Sequence, residues 1–515
     1  MRRSIVTVVV AAALVLSVPG PGSAGSVAPQ RASATASGPT SPEQALATVQ
    51  RLLAEEAGAR GRTAGGGRPE VTLAMRDLFV ALPRLDTDDR RTAQGLLARP
   101  TDGASDPFED GYTTGSRKKC SKHVCLHWVE STADAPPGRG WVNTTLSRMN
   151  KVWSAEVGRL GYRKPISDKR RGGNSKFDVY LKELGSRGLY GYCAPERRAR
   201  GQQWLASGFC VLDNDFARAQ YGAPPRATLR VTAAHEFFHA VQFAMDFGED
   251  KWLMEGTATW MEERVADAVD DNRQYLPYGQ VGSPGQPLDK FDPGGFNQYG
   301  NWAFFEHLSN RFGVGIVKKI WHRAGTYPGA GRRYSTAAVA GVLAKRGGFV
   351  DAYRRFAAAN TVPGRSYPEG DRWPTAATTA SWKLSKARPA TSTRMKINHL
   401  ASRNVKVRPD DSLRGKRWKL RVVVDGPARR TSPAAYLVVK RKDGLHRSPI
   451  RLNKAGKGTM TTSFNAATVA WSKVVLVNAS TRFTCGRGTW WSCRGKPRDN
   501  NLSFRLRVAA VQTST

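Results

Sequence analysis

The chain contains the segment VTAAHEFFHAVQ at residues 231–242, which has the most informative motif in the sequence. Its composition favours a helix, on which His235 and His239 lie one turn apart on the same face and can reach one metal ion. Glu236 follows His235 directly and can reach a water molecule at that ion. The chain has only 8 histidines, so composition alone would produce this His-Glu-x-x-His pattern in below about one case in a hundred.

A zinc ion that performs catalysis usually has three protein ligands, and the two histidines supply only two. The extended pattern with glycine at 242 and histidine at 245 does not fit, because Gln242 and Met245 stand there. Residues 252–262, WLMEGTATWME, form a second helical pattern in which Glu255 stands among apolar and small side chains. A carboxylate in such a helix needs a cation nearby.

Together the two segments resemble the gluzincin zinc metallopeptidases, in particular secreted bacterial enzymes with a W-L-x-E-G-x-A helix, such as hyicolysin-like neutral metallopeptidases. The resemblance is strongest between residues 141 and 359. It includes GLYGYC at 188–193 and YGNW at 299–302.

This resemblance implies a zincin-like fold, a zinc ion held by His235, His239 and Glu255, and Glu236 as the general base. The zinc would polarise the scissile carbonyl and lower the pKa of its water from 15.7 toward about 7, while Glu236 moves the proton to the leaving amine. Thermolysin-like members often place an aspartate four residues after the third ligand to orient a histidine. Thr259 stands there in this chain, so we expect a different arrangement behind the ligands.

The reaction also needs a hydrogen-bond donor for the developing oxyanion. Tyr299, in the motif shared with the similar enzymes, is the candidate, and His307 follows eight residues later on a predicted helix. An ordinary packing role for Tyr299 stays open, because the sequence does not show side-chain direction.

Positive charge is unevenly distributed along the chain. Lys and Arg number 80 against 42 Asp and Glu, a net charge of +38, and residues 381–515 alone hold 30 basic and 5 acidic side chains. Such a segment is attracted to anionic polymers such as nucleic acid, acidic wall polymers or anionic lipid headgroups. A solvated basic surface without a partner is the alternative.

The N-terminus has the three parts of a secretory signal over residues 1–24: two arginines, an apolar run from Ile5 to Val18, and a small-residue site ending at Ala24. We therefore expect a secreted, extracellular protein. A membrane anchor is the alternative, but the apolar run is short for a bilayer span.

Six cysteines in an exported chain indicate disulfides, and their spacing favours pairing of sequence neighbours. The expected pairs are Cys120 with Cys125, Cys193 with Cys210, and Cys485 with Cys493. A rival for the first pair is a structural zinc site made with His123 and His127, although its Cys-x4-Cys spacing is wide for that purpose.

The pattern of elements predicts an α+β protein in three parts after the signal. Residues 25–110 read as a helical region with helical runs at 41–52 and 71–97, either a propeptide or an N-terminal layer. Residues 111–378 read as the zincin-like catalytic domain. Residues 379–515 contain short apolar runs between turns, which predict a basic, all-β, sandwich-like domain.

Weaker signals come from acidic loops and from a pair of tryptophans. The loops at 213–215 and 267–272 are rich in carboxylates that suit calcium, but neither has the spacing of a calcium loop. Trp490 and Trp491 lie between the last two cysteines and suit either a ligand surface or packing onto the β-domain.

The sequence therefore predicts a secreted zinc endopeptidase that hydrolyses protein or peptide substrates. The main rival is a surface-anchored binding protein whose basic β-domain holds an anionic polymer and whose zinc site is structural or degenerate. Glu236 argues against this rival, because a structural site has no use for a base beside the metal. A zinc hydrolase with a different substrate is the third reading, which fold-level likeness does not exclude.

Overall fold

The structure is a computed structural model that describes residues 41–54, 71–102 and 111–513. The predicted signal segment at 1–24 lies outside the described residues. The described chain mixes helices with sheets, with a helical N-terminal part and β-sheets at the C-terminal end, so the predicted α+β class is confirmed.

The helices of the described residues are α1 (Pro42–Ala54), α2 (Val71–Ala81), α3 (Thr87–Leu96), α4 (Arg139–Trp153), α5 (Arg218–Tyr221), α6 (Pro225–Asp246), α7 (Lys251–Ala266), α8 (Asn297–Gly300), α9 (Trp302–Phe312), α10 (Gly315–Ala324), α11 (Thr336–Leu343) and α12 (Gly348–Ala359). The strands are β1 (Ser116–Cys120), β2 (Val124–Val129), β3 (Phe177–Lys182), β4 (Gly191–Arg198), β5 (Ala206–Asp213), β6 (Ala380–Leu384), β7 (Ala390–Ile397), β8 (Ala401–Pro409), β9 (Trp418–Asp425), β10 (Pro433–Arg441), β11 (Gly444–Ile450), β12 (Lys457–Ser463), β13 (Val469–Asn478), β14 (Phe483–Thr484), β15 (Lys496–Pro497) and β16 (Leu502–Gln512).

The N-terminal helices begin where the sequence offers caps. Ser41 accepts a hydrogen bond from the backbone of Gln44, whose side chain accepts one from the backbone of Ser41, a reciprocal capping box at the start of α1. The predicted single helical run over 71–97 is wrong, since α2 ends at Ala81 and α3 begins at Thr87. Pro83 lacks a backbone N–H, and the Asp86 carboxylate caps the new helix by accepting from the backbone of Asp89.

A five-stranded sheet in the order β1-β2-β3-β5-β4 forms the centre of the chain. The three inner strands run parallel, and the edge strands β1 and β4 run antiparallel to their neighbours. Every residue of β2, β3 and β5 is buried, which agrees with their mostly apolar composition. Helix α6 packs against β4 and β5, and this packing places the histidine motif beside an edge of the sheet.

All three predicted disulfides are confirmed. They join Cys120 to Cys125, Cys193 to Cys210, and Cys485 to Cys493. The first closes the β1–β2 hairpin and removes the thiolates that the rival zinc site would need. The second ties the edge strand β4 to β5.

The C-terminal strands form two sheets that share a core, as expected for a sandwich. One sheet has the order β11-β10-β13-β8-β6 and the other β12-β9-β16-β7. Inward side chains from both, such as Leu437 and Leu506, build this core. The outer face of the first sheet, with Tyr436 and Val475, joins the main core and packs on α12. The strands β10 and β13 of the first sheet are therefore largely buried on both faces.

The N-terminal helices also belong to the main core. Phe79 packs on Phe247 with ring centroids 5.7 Å apart. After α3, the buried Arg99 forms ion pairs with Asp168, Asp178 and Glu196 at 2.6–2.8 Å. Without Arg99 these three carboxylates would lose their shared cation at high cost. These contacts join the N-terminal helices to the main core. A shielding propeptide and an N-terminal layer would both pack in this way, so both stay predictions.

Candidate metal centre

Two antiparallel neighbours, α6 and α7, supply the residues of the predicted metal site. Helix α6 starts with Pro225 in its first turn, where proline costs no hydrogen bond, and it is buried continuously from Val231 to Asp246. Four residues separate it from α7. Gly256 on α7 lets a neighbouring segment approach closely, since a Cβ there would lie 3.3 Å from the backbone oxygen of Gln298.

The structure brings His235, His239 and Glu255 together. The Nε2 atom of His235 lies 3.2 Å from Oε2 of Glu255, and Nε2 of His239 lies 3.7 Å from Oε1 of the same carboxylate. One ligand atom from each of the three residues lies within 4.8 Å of the others. All three side chains are buried. Their Nε2 and carboxylate oxygen atoms therefore surround one small volume.

Two further side chains orient the histidines. Gln242 donates from Nε2 to the backbone oxygen of Met254 at 2.9 Å, which turns its Oε1 toward Nδ1 of His239 at 2.8 Å. An amide oxygen only accepts, so Nδ1 of His239 carries the hydrogen and Nε2 carries a lone pair. On the other ring, Nδ1 of His235 bonds to Oε1 of Glu262 at 2.7 Å. Such partners usually fix metal-binding histidines.

Sequence reasoning missed Gln242 and treated Glu262 only as a fallback ligand. Both have the helical spacing of a partner: Gln242 is three residues after His239, and Glu262 is seven residues, or two turns, after Glu255. The Thr259 hydroxyl donates to the backbone oxygen of Glu255 at 2.9 Å. Among the described residues, Thr259 therefore has no hydrogen bond to a histidine ring, and Gln242 and Glu262 are the side chains that orient the two histidines.

The donor set suits a divalent cation. Among the described residues, Nε2 of His239 and Oε1 of Glu255 are buried without a hydrogen-bond partner, which is costly unless something else binds these atoms. Burial acts to raise the pKa of Glu255, but the imidazoles of His239 and His235 outweigh it and lower the pKa to about 2. Two imidazole nitrogens and one carboxylate match the protein ligands of a catalytic zinc site.

Glu236 lies beside these ligands and has one fixed partner. The Thr72 hydroxyl on α2 accepts a hydrogen bond from the backbone N–H of Cys193 at 2.9 Å. Its own hydrogen is therefore donated to Oε2 of Glu236, also at 2.9 Å. Burial raises the pKa of Glu236 above its usual value. The contact comes from a helix 164 residues earlier in the chain, and no motif in the sequence marks Thr72.

A small cavity of about 40 Å³ adjoins the site and is lined by His235, Glu236 and Tyr299, among others. It is large enough for water. The Tyr299 ring is buried, 6.3 Å from the His235 ring. His307 instead packs against Phe356, and burial lowers its pKa to about 3. Of the two candidate oxyanion donors, Tyr299 is therefore the one beside the candidate metal ligands.

The acidic loops that suggested calcium have other partners in the structure. The Asp213 carboxylate accepts four backbone N–H groups. Asp270 pairs with Arg273 at 2.7 Å. Asp267 does group with Glu263 and Glu369, but Arg273 lies 2.6 Å from Glu369. Calcium binding at these loops stays a prediction, and Arg273 already supplies positive charge there.

The two tryptophans contact protein on both sides of the last disulfide loop. Trp490 packs on Phe291 with centroids 5.7 Å apart, and Trp491 contacts His399 at 5.4 Å. Their packing role reaches the central region as well as the β-region.

Comparisons with known proteins add no assignment. No protein-family model matches the chain, and no curated protein matches it. Among solved structures, a surface-associated copper-binding protein, CorA, important in copper acquisition by Methylomicrobium album BG8, matches at 10% identity and a TM-score of 0.16. This match covers 26% of this chain and 99% of that one. A family GH115 4-O-methyl-α-glucuronidase with specificity for decorated arabinogalactans matches at 8% identity and a TM-score of 0.14, over 69% of this chain and 54% of that one. Likeness this weak carries no argument about fold or function.

Proposed function

We propose that this chain is a zinc-dependent endopeptidase of the gluzincin type, with a zincin-like catalytic region. One observation carries the proposal: His235, His239 and Glu255 direct their ligand atoms at one buried volume. Nδ1 of His239 donates to Oε1 of Gln242, and Nδ1 of His235 hydrogen-bonds with Oε1 of Glu262, which leaves both Nε2 atoms facing Glu255. A packing cluster without a metal would not need this arrangement.

Each residue then has a distinct role. His235, His239 and Glu255 would hold the zinc ion. Bound zinc supplies a Lewis acid that polarises the scissile carbonyl and acidifies the attacking water. Glu236 accepts the proton of that water and delivers it to the leaving nitrogen, and its raised pKa suits a group that must both accept and release a proton. Tyr299 is the proposed donor to the developing oxyanion.

The rival reading, a binding protein with a structural zinc site, fits the ligand set less well. Structural zinc sites usually have four protein ligands, whereas three converge here with a glutamate beside them. The cavity next to Glu236 provides room for the water that hydrolysis consumes. A zinc hydrolase with a substrate other than a peptide remains the second candidate, and the substrates used in the assay separate the two.

We further propose an extracellular location. Three disulfides join the described cysteines, and disulfides persist in oxidising compartments. Within the described ranges, no helix combines the length and apolarity that crossing a bilayer requires.

The experiment that tests the proposed function combines metal analysis with a peptidase assay. Purified full-length protein should contain stoichiometric zinc and cleave an unstructured protein such as casein. A chelator should remove both the zinc and the cleavage, and added zinc should restore both. Cleavage that persists after complete zinc removal would refute the proposal. Zinc-dependent hydrolysis of a non-peptide ester or amide without casein cleavage would favour the second candidate.

A further inference from the structure

The outward face of the sheet β12-β9-β16-β7 is strongly basic. Its strands alternate, with apolar side chains such as Phe504 and Leu506 in the sandwich core and polar side chains on the opposite face. We call this outward surface the cationic face. Its positively charged members are Arg394, Lys396, Lys419, Arg421, Lys457, Arg505 and Arg507.

Strand register places like charges next to each other. Arg505 on β16 lies directly opposite Arg394 on β7, and Lys396 and Arg507 follow two residues along their own strands. Neighbouring strands are about 4.8 Å apart, and alternate residues on one strand are about 6.8 Å apart. These four cations therefore form a strip along two adjacent strands. Asp425 on β9, the single carboxylate at the outward positions of the described strands, lies opposite Arg505 on one side and Lys457 on the other.

The seven cationic side chains of this face make no direct polar contact within the described structure. Among the described residues, none of the seven side chains forms a hydrogen bond or an ion pair, unlike Lys473 of the other sheet, which donates to the backbone oxygen of Thr361 at 2.7 Å. Like charges directly opposite each other on a sheet destabilise it. Asp425 offsets part of this repulsion beside Arg505 and Lys457, but seven cations share the face with this one carboxylate, so an anionic ligand would relieve the repulsion that remains.

The side chains on the cationic face restrict which class of anionic ligand it can bind. Its neutral side chains include the hydroxyls of Ser392, Ser503 and Thr459, its aliphatic members Val423 and Val511 are half-buried, and none of the outward positions on the described strands holds an aromatic residue. Aromatic rings are needed to stack single-stranded bases, and apolar side chains are needed to enter a bilayer. A rigid duplex has fixed phosphate positions that cannot adjust to the spacing of these cations. A flexible polymer can instead follow the strip with successive charges.

We propose that the cationic face binds a flexible linear polyanion, a chain with repeated carboxylate or phosphate groups and without bases or acyl chains. The face lies on the side of the sandwich away from the sheet that packs on α12. A polymer bound there leaves the metal centre uncovered. The proposal stands whether or not the metal centre is catalytic.

The test uses full-length protein and two charge-matched variants. The first, Arg394→Gln, Arg505→Gln and Arg507→Gln, removes three charges from the cationic face. The control, Lys319→Gln, Arg333→Gln and Lys345→Gln, removes three exposed charges from the helical region. Circular dichroism and thermal unfolding establish that both variants fold. Binding is measured against polygalacturonate for the carboxylate source and long-chain polyphosphate for the phosphate source, with duplex DNA and vesicles of phosphatidylglycerol for comparison.

For at least one of the two linear polymers, the face variant should bind at least tenfold more weakly than wild type, with the control within about twofold. The slope of log affinity against log salt should fall by about 2, since each contact on a flexible chain contributes about 0.7. Equal losses in both variants would show attraction by net charge alone and overturn the proposal. Tighter binding to duplex DNA or to vesicles, or no salt-dependent binding, would overturn it as well.

Discussion

The metal centre and the cationic face are opposite ways of using charged side chains. At the metal centre, Glu255 and Glu262 are buried and each contacts His235. On the cationic face, Arg394 and Arg505 are exposed next to each other and have no partner among the described residues. Burial therefore fixes the positions of the side chains at the metal centre. The exposed side chains of the cationic face act instead through their electrostatic field.

This difference predicts how each site responds to change. Charges removed from water interact strongly and need every partner, so one substitution should have a large effect that salt changes little. Exposed charges are screened beyond about 8 Å at physiological ionic strength, so their effects should be small, cumulative and sensitive to salt. Substitutions at the metal centre test the first half of this comparison.

The largest expected effect is on zinc retention in Glu255→Ala. Removing the carboxylate leaves two imidazoles, too few protein ligands to retain the ion, so the variant should lose zinc during dialysis. Thr259→Ala, one turn further along α7, is the control and should keep its zinc. Metal analysis of both dialysed proteins is the measurement. Wild-type zinc affinity in Glu255→Ala would move the third ligand elsewhere, with Glu262 next to be tested.

A smaller effect is expected from Glu262→Gln, which weakens the partner that orients His235. Zinc affinity should fall about 10- to 100-fold, the usual consequence of losing an outer hydrogen-bond partner of a metal ligand. Glu263→Gln is the matched control, because Glu263 is also buried on α7 but accepts from Asn272. Competition with a zinc-binding dye measures both. Equal affinities in the two variants would remove Glu262 from the site.

The smallest of these effects concerns Thr72, which acts on the site through Glu236. Thr72→Val removes the donor to the carboxylate and leaves the Cys193 N–H without its acceptor, so stability should fall by about 1–3 kcal/mol. We expect kcat to fall about tenfold, or about 1.4 kcal/mol, with zinc content unchanged. Thr72→Ser keeps the hydroxyl and should recover most of kcat. Equal losses of kcat in the two variants would show that the hydroxyl does not position Glu236.

Part of this site could be predicted from the sequence because it follows helical periodicity. The positions of His235, Glu236 and His239 follow from one motif on one helix. Glu255 stood out as a carboxylate among apolar residues in a second helical pattern, which indicated a nearby cation, but its role as third ligand came from the resemblance. Thr72 could not be found, because its contact joins segments 164 residues apart and no local pattern encodes that distance.

The same limit applies to the fold. Short apolar runs between turn residues predicted the C-terminal strands, and close cysteine spacing predicted the disulfides. The split of the run over 71–97 was missed, although Pro83 and the Asp86 cap were visible in the sequence. The burial of Arg99 among three carboxylates was not predictable, because these residues come from separate segments.

The central claim is that Glu236 acts as a base beside a zinc ion held by its neighbours, and Glu236→Gln tests it most directly. The amide occupies the same space but cannot accept the proton, so zinc content and fold should match wild type while kcat falls about 10²- to 10⁴-fold. Zinc analysis and peptide hydrolysis on the same preparation give both values. Activity within a few-fold of wild type, with zinc still bound, would contradict the account.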